Sequence, residues 1–478
     1  MAKTTHIVVI PSAGFSHFVP IIHFSKRLVQ LHPHIHISCI IPMLGSLPAA
    51  AKPILQTLPP NISTIFLPPV NLHDLPQGLP AVVQIQLAMR HSMPSIHHTL
   101  QSVTSNTPHV AMVVDSFAAV ALDLAHEFNM LSYVYFPISA TTLSMHLNLP
   151  RLDKETTCEY RNLPHPIKLP GCVPFHGRDI YAQAQDRTSE LYKMSLKRYT
   201  RCRAVDGIFV NSFLALEKGP ITALKEERRG YPRVYPVGPL VQQSGDDDDD
   251  DAKGLEHCIT WLDTQKVGSV LYVSFGSGGT LSREQMNELA YGLELSNHKF
   301  LWVVRAPNNT KADAAYLGGH NNVDPLQFLP CGFLERTKEQ GLIVPSWAPQ
   351  VQVLSHSAVG GFLSHCGWNS SLESVVHGVP LITWPLYAEQ RMNSVVLSEG
   401  LKVGVRPRVS EKGLVERVEI VQVIKCLMEG KEGREMQKRM KELKEEATIA
   451  LKEEGSSTKT LSDLAEMWKK LAWENQIY

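Results

Sequence analysis

Short apolar runs rich in β-branched residues recur along the chain, and each precedes a turn and a segment with helical periodicity. Most of these runs are almost continuously apolar, which is typical of parallel strands that helices cover on both faces. In the N-terminal half the predicted strands are 6–11, 34–42, 62–69, 110–117, 131–137 and 207–213. In the C-terminal half they are 268–277, 299–305, 341–347, 360–365 and 380–385. The pattern predicts an α/β protein with two Rossmann-like, doubly wound domains that face each other across a cleft.

An acidic run separates the two halves. Residues 246–251 are six consecutive aspartates, but no glycine and distal glutamate complete an EF-type calcium loop there, so we interpret the run as a self-repelling, solvated linker. The predicted division has four parts: an N-terminal domain over 1–240, a linker over 241–254, a C-terminal domain over 255–455, and a C-terminal helix over 456–478 that packs back on the N-terminal domain. The ligands of open α/β sheets bind beyond the carboxyl ends of the strands, so we expect the site in the cleft.

Composition and charge narrow the class of protein. The 478 residues are 44% hydrophobic and 19% charged, as expected of an ordinary globular chain with two or three domains. The 46 basic and 46 acidic residues balance, so nothing in the charge indicates binding to nucleic acid or to an anionic membrane. No apolar stretch approaches the roughly 20 residues that span a bilayer. Eight cysteines without a C-x-x-C pair argue against a zinc module or a disulfide scaffold, and we expect a cytoplasmic monomer.

The segment 365–374, HCGWNSSLES, places many polar groups where a buried strand gives way to a helix. A metal site would have only His365, Cys366 and Glu373 as ligands, and neighbours on a strand end point to different sides. A nucleophilic Cys366 would need a nearby base, and a packed, inert thiol fits its position better. An anion cradle fits best, because NSS offers capping side chains and free N–H groups at a helix start. With His365 as a donor to phosphate and Glu373 as an acceptor for ribose hydroxyls, the segment predicts a nucleotide site.

Residues 347–390, WAPQVQVLSHSAVGGFLSHCGWNSSLESVVHGVPLITWPLYAEQ, resemble the 44-residue signature of plant family 1 UDP-sugar-dependent glycosyltransferases. The similarity extends over essentially the whole chain, and VVDSF, CEYRNLP, PGCVPFHGRD, SFGSGG and WPLYAEQRMN resemble the hydroquinone and phenylpropanoid, arbutin synthase-like group. The resemblance implies the glycosyltransferase-B fold and an inverting transfer of glucose from UDP-glucose to a small phenolic or flavonoid acceptor. It also implies that the domain over 1–240 binds the acceptor and that the domain over 255–455 binds the UDP-sugar. The resemblance also implies that the reaction needs no metal ion and no cofactor.

The same resemblance implies roles for single residues. Trp347 would stack on uracil, Ala348 would pair with it through its backbone, and Gln350 and Glu373 would bind the ribose hydroxyls. The rest of the implied donor site is Ser277, His365, Asn369 and Ser370 at the diphosphate, Trp368, Glu389 and Gln390 at the sugar, and Gly367 and Tyr387 beside them. Because the signature contains no Lys or Arg, a helix N-terminus and a histidine are expected to stabilise the departing diphosphate.

The catalytic base is expected from the other domain. His17 follows the first predicted strand and Asp115 ends the apolar run VAMVVD of the fourth, so both belong to the same edge of the sheet. From the residues alone, a histidine there is either structural or catalytic, and the aspartate either caps a loop or serves a site. The resemblance implies that His17 is the base and that Asp115 orients it, as in other acid–base pairs. The stretch PSAGFSH departs from the common P-x-P-G-x-G-H pattern at Ala13 and Ser16.

Two alternatives belong to other functional classes. A UDP-sugar sensor on the same scaffold would be favoured by loss of His17 or Asp115, and both are present. A dehydrogenase would need G-x-G-x-x-G after the first strand, and neither PSAGFSH nor GSGG matches that pattern. In an enzyme of this kind, acceptor contacts are expected from N-terminal loops that include Phe15, Phe117 and Ser139.

Overall fold

The structure is a computed structural model that describes residues 4–46, 51–71, 79–105, 107–226, 230–242, 252–315 and 323–474. Side chains are described throughout these ranges except at 15, 16 and 252–255. The six aspartates predicted to form a linker lie outside the described residues. Two parallel sheets, each covered by helices on both faces, confirm the predicted α/β class with two doubly wound units.

The first sheet has the strand order β3-β2-β1-β4-β5-β6-β7 within the described chain, and its pairs are parallel. Its strands are β1 (Thr5–Ile10), β2 (Ile35–Ile41), β3 (Ile62–Phe66), β4 (His109–Asp115), β5 (Leu131–Phe136), β6 (Gly207–Val210) and β7 (Arg233–Pro236). Strand β7 was not predicted, because its four residues, RVYP, do not form an apolar run.

The second sheet has the order β10-β9-β8-β11-β12-β13 in the part of the chain that the structure describes, again with parallel pairs. Its strands are β8 (Val270–Ser274), β9 (Lys299–Val304), β10 (Gly341–Pro345), β11 (Val359–Ser364), β12 (Leu381–Thr383) and β13 (Gly404–Val405). The two-residue strand β13 was also missed by the pattern. The strand order reverses between β1 and β4 and between β8 and β11, and such reversals open a crevice at the carboxyl ends of the strands.

Helices cover both sheets. Their bounds are α1 (Phe15–Leu31), α2 (Lys52–Gln56), α3 (Ala81–Thr104), α4 (Leu122–Glu127), α5 (Ala140–Glu155), α6 (Glu190–Cys202), α7 (Lys218–Leu224), α8 (Ala252–Asp263), α9 (Arg283–Ser296), α10 (Phe333–Thr337), α11 (Gln350–Ser355), α12 (Trp368–His377), α13 (Gln390–Val395), α14 (Arg417–Met428), α15 (Lys431–Leu451) and α16 (Ser456–Glu474). None of those described combines the length and apolarity needed to cross a membrane.

The last helix joins the core of the first sheet. Trp468 of α16 is fully buried among residues of β1, α1 and β5, and its indole N–H donates to the Tyr133 hydroxyl at 3.2 Å. Arg27 of α1 donates to the Leu451 carbonyl at 2.7 Å and to the Thr458 hydroxyl at 3.1 Å. The chain therefore crosses from the second sheet back to the first after α15, which fixes the two units relative to each other.

Candidate active site

A cavity of about 550 Å³ lies between the carboxyl edges of the two sheets. Its lining includes every catalytic and donor-binding residue that the sequence indicated except Asp115, which is fully buried behind His17. The two strand-order reversals explain this convergence, because β1 and β4 bring their ends to one wall and β8 and β11 bring theirs to the other. The residues proposed for base and donor binding are thus assembled in one space.

His17 and Asp115 form a hydrogen-bonded pair at the N-terminal wall. His17 Nδ1 lies 2.9 Å from Asp115 Oδ2, and the backbone N–H of Phe117 donates to Asp115 Oδ1 at 2.9 Å. Burial alone would raise the pKa of Asp115, but the His17 imidazole and these hydrogen bonds hold it below its usual value. An ionised Asp115 accepts from Nδ1–H, which leaves the lone pair of His17 on Nε2. That arrangement suits a general base.

Residues of α11 and α12 line the end of the cavity that the sequence predicts to bind the nucleotide. Gln350 Nε2 donates to Ser370 Oγ at 2.8 Å and to Glu373 Oε2 at 2.6 Å, so three of the indicated residues form one polar network. Trp347 lies half-buried in the turn between β10 and α11, next to Ser346, which has a φ of 65°. This tight turn places Trp347 in the lining of the cavity that also contains Gln350 and Glu373, and an indole with amide and carboxylate groups is the combination that a base with a ribose requires.

The end of the cavity that the sequence predicts to bind the diphosphate is built around the imidazole of His365. A Cβ atom on Gly276 or on Gly367 would lie 2.5 Å from this ring, so glycine at both positions lets the ring fit between the β8 loop and α12. Burial and, secondarily, Arg305 lower the pKa of His365 to about 4, which leaves a neutral ring that still donates one N–H. Its Nδ1 is buried without a hydrogen-bond partner among the described residues, as a ligand donor would be.

Arg305 is a residue that the sequence analysis missed at this end. It follows β9, lines the cavity, and donates through Nη1 to the carbonyl of Ser277. Arg305 adds a guanidinium from outside the signature to the helix N-terminus and the histidine that the sequence predicts at this end. Its signal was a cation directly after an apolar strand, the same kind of signal that indicated Asp115.

At the end of the cavity that the sequence predicts to bind the sugar, the contacts of Trp368 and Gln390 differ in part from those expected. The indole N–H of Trp368 donates to the Asn211 carbonyl at 2.7 Å, so the indole is not free to bind a sugar hydroxyl. The backbone N–H of Trp368 lies in the first turn of α12, where the helix itself supplies no acceptor. Gln390 Oε1 accepts from the backbone N–H groups of Leu386 and Tyr387 at 2.8 and 2.9 Å. Only the NH₂ of Gln390 therefore remains to meet a sugar.

Glu389 is positioned by Asn393, a second residue that sequence reasoning missed. Asn393 Nδ2 donates to Glu389 Oε1 at 3.3 Å and to the Cys366 carbonyl at 3.0 Å, while Asn393 Oδ1 accepts from Ser139 of the N-terminal unit at 3.2 Å. Burial raises the pKa of Glu389, and the facing His17 opposes that shift. Ser139 is fully buried and links the two units. Of the residues expected to contact the acceptor, Phe117 lines the cavity. The side chain of Phe15 is not described.

Two other interpretations of the segment at 365–374 can be compared with the geometry. Cys366 is fully buried with a φ of 64°, and burial raises the pKa of its thiol, which disfavours the nucleophilic thiolate. No group of three or more His, Cys, Asp or Glu side chains in the described ranges is arranged to hold a metal ion.

Known proteins are similar to this chain in both sequence and fold. The family described as UDP-glucoronosyl and UDP-glucosyl transferase matches residues 228–440. The hydroquinone glucosyltransferase of Rauvolfia serpentina is 48% identical over 477 residues, which cover 100% of this chain and 99% of that protein. Phytolacca americana UGT2 complexed with UDP-2fluoro-glucose and pterostilbene has a TM-score of 0.87 and 45% identity, with 98% of this chain and 100% of that chain covered. A Polygonum tinctorium UDP-glucosyltransferase capable of glucosylating indoxyl, in complex with 3,4-dichloroaniline, gives 0.89 and 45%, with 98% and 99% covered.

Proposed function

The chain belongs to the UDP-glucoronosyl and UDP-glucosyl transferase family and is a UDP-glycosyltransferase, and from this premise we propose that it transfers glucose from UDP-glucose to small phenolic acceptors. The observation that carries the proposal is the His17–Asp115 pair, which lies across one cavity from the network of Gln350, Ser370 and Glu373. The relatives are named as glucosyltransferases, and the comparisons give no support to the sensor alternative.

In the proposed reaction, Nε2 of His17 takes the proton of the acceptor hydroxyl while Asp115 stabilises the imidazolium that forms. The acceptor oxygen attacks the anomeric carbon as the bond from that carbon to the UDP oxygen breaks, and UDP leaves with the bonding electron pair. An in-line attack converts the α-linked donor into a β-glucoside. The N-terminus of α12, the neutral His365 and Arg305 would stabilise the charge that develops on the diphosphate.

The donor assignments follow the chemistry of each end of the cavity. We propose that Trp347 and Ala348 hold uracil, that Gln350 and Glu373 hold the ribose, and that the remaining polar groups bind the diphosphate and the glucose. The diphosphate set is Ser277, His365, Asn369, Ser370 and Arg305, and the glucose set is the Trp368 backbone, Glu389 and the Gln390 amide, with Gly367 and Tyr387 adjacent. We also propose the division at 1–240, 241–254, 255–455 and 456–478, and the cytoplasmic monomer stays a prediction.

The direct test incubates the purified chain with UDP-glucose and a panel of phenols that includes hydroquinone, and identifies glucosides by mass spectrometry. We expect a product with a β linkage in the NMR coupling of its anomeric proton, formed at the same rate in excess EDTA. Absence of glucoside with every phenol would contradict the proposed function. Complete loss of turnover in EDTA, restored by magnesium, would contradict only the metal-free stabilisation of UDP.

A further inference from the structure

The acceptor end of the cavity contains buried donors that the protein leaves unused. Nε and Nη1 of Arg198, the hydroxyl of Tyr181 and Nδ1 of His146 are all buried without a hydrogen-bond partner among the described residues. All three side chains line the same cavity as His17. Buried polar groups are almost always paired with protein, water or ligand, and these three side chains converge on one cavity wall, so a polar group of the acceptor is a candidate partner for them.

The guanidinium of Arg198 has no carboxylate partner in the described part of the chain. Its third nitrogen, Nη2, donates to the Tyr199 hydroxyl at 2.7 Å, and the other two are the unpaired atoms named above. The group lies over the rings of Phe117 and Tyr199, with Cζ 4.4 and 4.7 Å from the two ring centroids. These cation–π contacts hold the planar fork in place, but they do not replace an anion.

The two other groups are also donors at neutral pH. Burial raises the pKa of Tyr181 well above its ordinary value, so the phenol keeps its proton. Burial and then the neighbouring Arg198 lower the pKa of His146 well below its ordinary value, so the ring is neutral and carries one N–H. The His146 ring stacks on Tyr199 with 3.8 Å between centroids and meets Tyr181 edge to face at 4.8 Å. These three rings therefore form one wall of the cavity.

This wall lies within reach of the base. The rings of His17 and Phe117 are 4.5 Å apart, and Phe117 is also the ring under Arg198, so the guanidinium carbon lies within about 9 Å of the imidazole. A single aromatic ring that carries a hydroxyl and an acidic group in meta or para relation can bridge such a separation. A cationic donor that lies beside a hydroxyl and an imidazole, each able to donate one hydrogen bond, matches a negatively charged group that accepts.

We propose, on the basis of the glucosyltransferase function above, that Arg198, Tyr181 and His146 form a carboxylate subsite and that the preferred acceptors are hydroxyaromatic acids. The carboxylate binds the unused N–H groups of Arg198 and accepts from Tyr181 and His146, while the ring packs beside Phe117. The phenolic hydroxyl at the other end of the ring meets Nε2 of His17. Arg198 is then a specificity-determining residue of the acceptor site.

The test compares two acceptors whose hydroxyls are chemically alike. In 4-hydroxyphenylacetate and 4-hydroxyphenylacetamide a methylene insulates the phenol from the variable group, so the pair isolates the carboxylate; the 3-hydroxy isomers serve as a second pair. Since a charged hydrogen bond is worth about 1.5–3 kcal/mol, kcat/KM for the acid should exceed that for the amide by about 10- to 100-fold. In Arg198→Met this ratio should fall to about 1, because only the acid loses an ion-paired hydrogen bond.

Two further variants separate recognition from packing. Arg201→Met makes the same replacement on the same helix at an exposed residue paired with Asp123, and it should leave the ratio unchanged. Tyr181→Phe removes only a hydroxyl and should lower the ratio severalfold, which keeps the test usable if Arg198→Met folds poorly.

Three results would overturn the carboxylate subsite without contradicting the proposed glucosyltransferase function. A wild-type ratio near 1, or an equal loss for both acceptors in Arg198→Met, would overturn the carboxylate subsite. Turnover of hydroquinone with no turnover of either arylacetate compound would overturn it as well. If no phenol is glucosylated, the proposed function fails instead, and calorimetric binding of the acid against the amide in the presence of UDP decides whether the subsite exists.

Discussion

The replacement of Asp115 by Asn tests the proposed base most directly. Both partners of the buried carboxylate are donors, because Oδ2 accepts from His17 Nδ1 and Oδ1 accepts from the Phe117 N–H. An Asn side chain has one acceptor oxygen and one NH₂. If its oxygen keeps the Phe117 N–H, its NH₂ faces Nδ1 of His17, which must then accept and carry its proton on Nε2. The nitrogen that should take the acceptor proton would already hold one.

The size of the loss follows from this tautomer switch. The other amide orientation leaves two buried donors facing each other, at a cost of about 1–3 kcal/mol, so the inactive tautomer is favoured. General-base assistance contributes about 10²- to 10⁴-fold, and we expect Asp115→Asn to lower kcat by about 100-fold, and by no more than His17→Ala does. Because Asp115 does not line the cavity, the affinity for UDP should change less than threefold.

The assay measures kcat at saturating UDP-glucose with one phenol and the Kd of UDP by calorimetry. Asp123→Asn is the matched control, since Asp123 is exposed and pairs with Arg201, away from the cavity. A kcat within threefold of the wild-type value in folded Asp115→Asn would refute the tautomer argument. A fall in both kcat and UDP affinity would show that the substitution disturbs the cleft and not only the base.

Three other substitutions test single groups of the site. His17→Ala should lower kcat by about 100-fold or more with unchanged UDP affinity, and ordinary turnover would remove His17 from the mechanism. Arg305→Leu should raise the Kd of UDP by roughly tenfold or more, the value of a charged hydrogen bond, and an unchanged Kd would mean that Arg305 only supports the Ser277 loop. The wild type should prefer UDP-glucose to UDP-galactose by about 10- to 100-fold in kcat/KM, and Gln390→Ala should erode that preference; equal incorporation of both sugars by the wild type would reject the assignment of Glu389 and Gln390.

The sequence predicted the parts of the fold whose signal is local. Every strand predicted from an apolar run has a counterpart in the two sheets, since a buried parallel strand must be apolar on both faces. The missed strands, Arg233–Pro236 and Gly404–Val405, are edge strands of four and two residues. Their place in the sheet comes from pairing with β6 and β12, which the local sequence does not encode.

The candidate site was predictable to the extent that its residues are contiguous or stand at strand ends. The segment 347–390 carries most of the donor residues in one stretch, and His17 and Asp115 each follow an apolar run. Arg198 had no such signal, because a cation on an amphipathic helix usually faces solvent, and only the packing of α6 against Phe117 brings it into the cavity. The sequence also could not show that the Trp368 indole and the Gln390 oxygen are already occupied by backbone groups.

The contacts of Trp368 and Asn393 connect the two halves of the site. The proposed base stands on the first sheet and the diphosphate cradle on the second, so transfer requires a fixed distance between two separately folded walls. Trp368, at the start of the cradle helix, donates to Asn211 of the first unit, and Asn393 joins Ser139 of that unit to Glu389. The Trp368 indole, which the sequence indicated as a sugar ligand, therefore connects the walls instead, and Glu389 is tied to the first unit through Asn393. Both contacts join residues far apart in the chain, so the local sequence could not predict them.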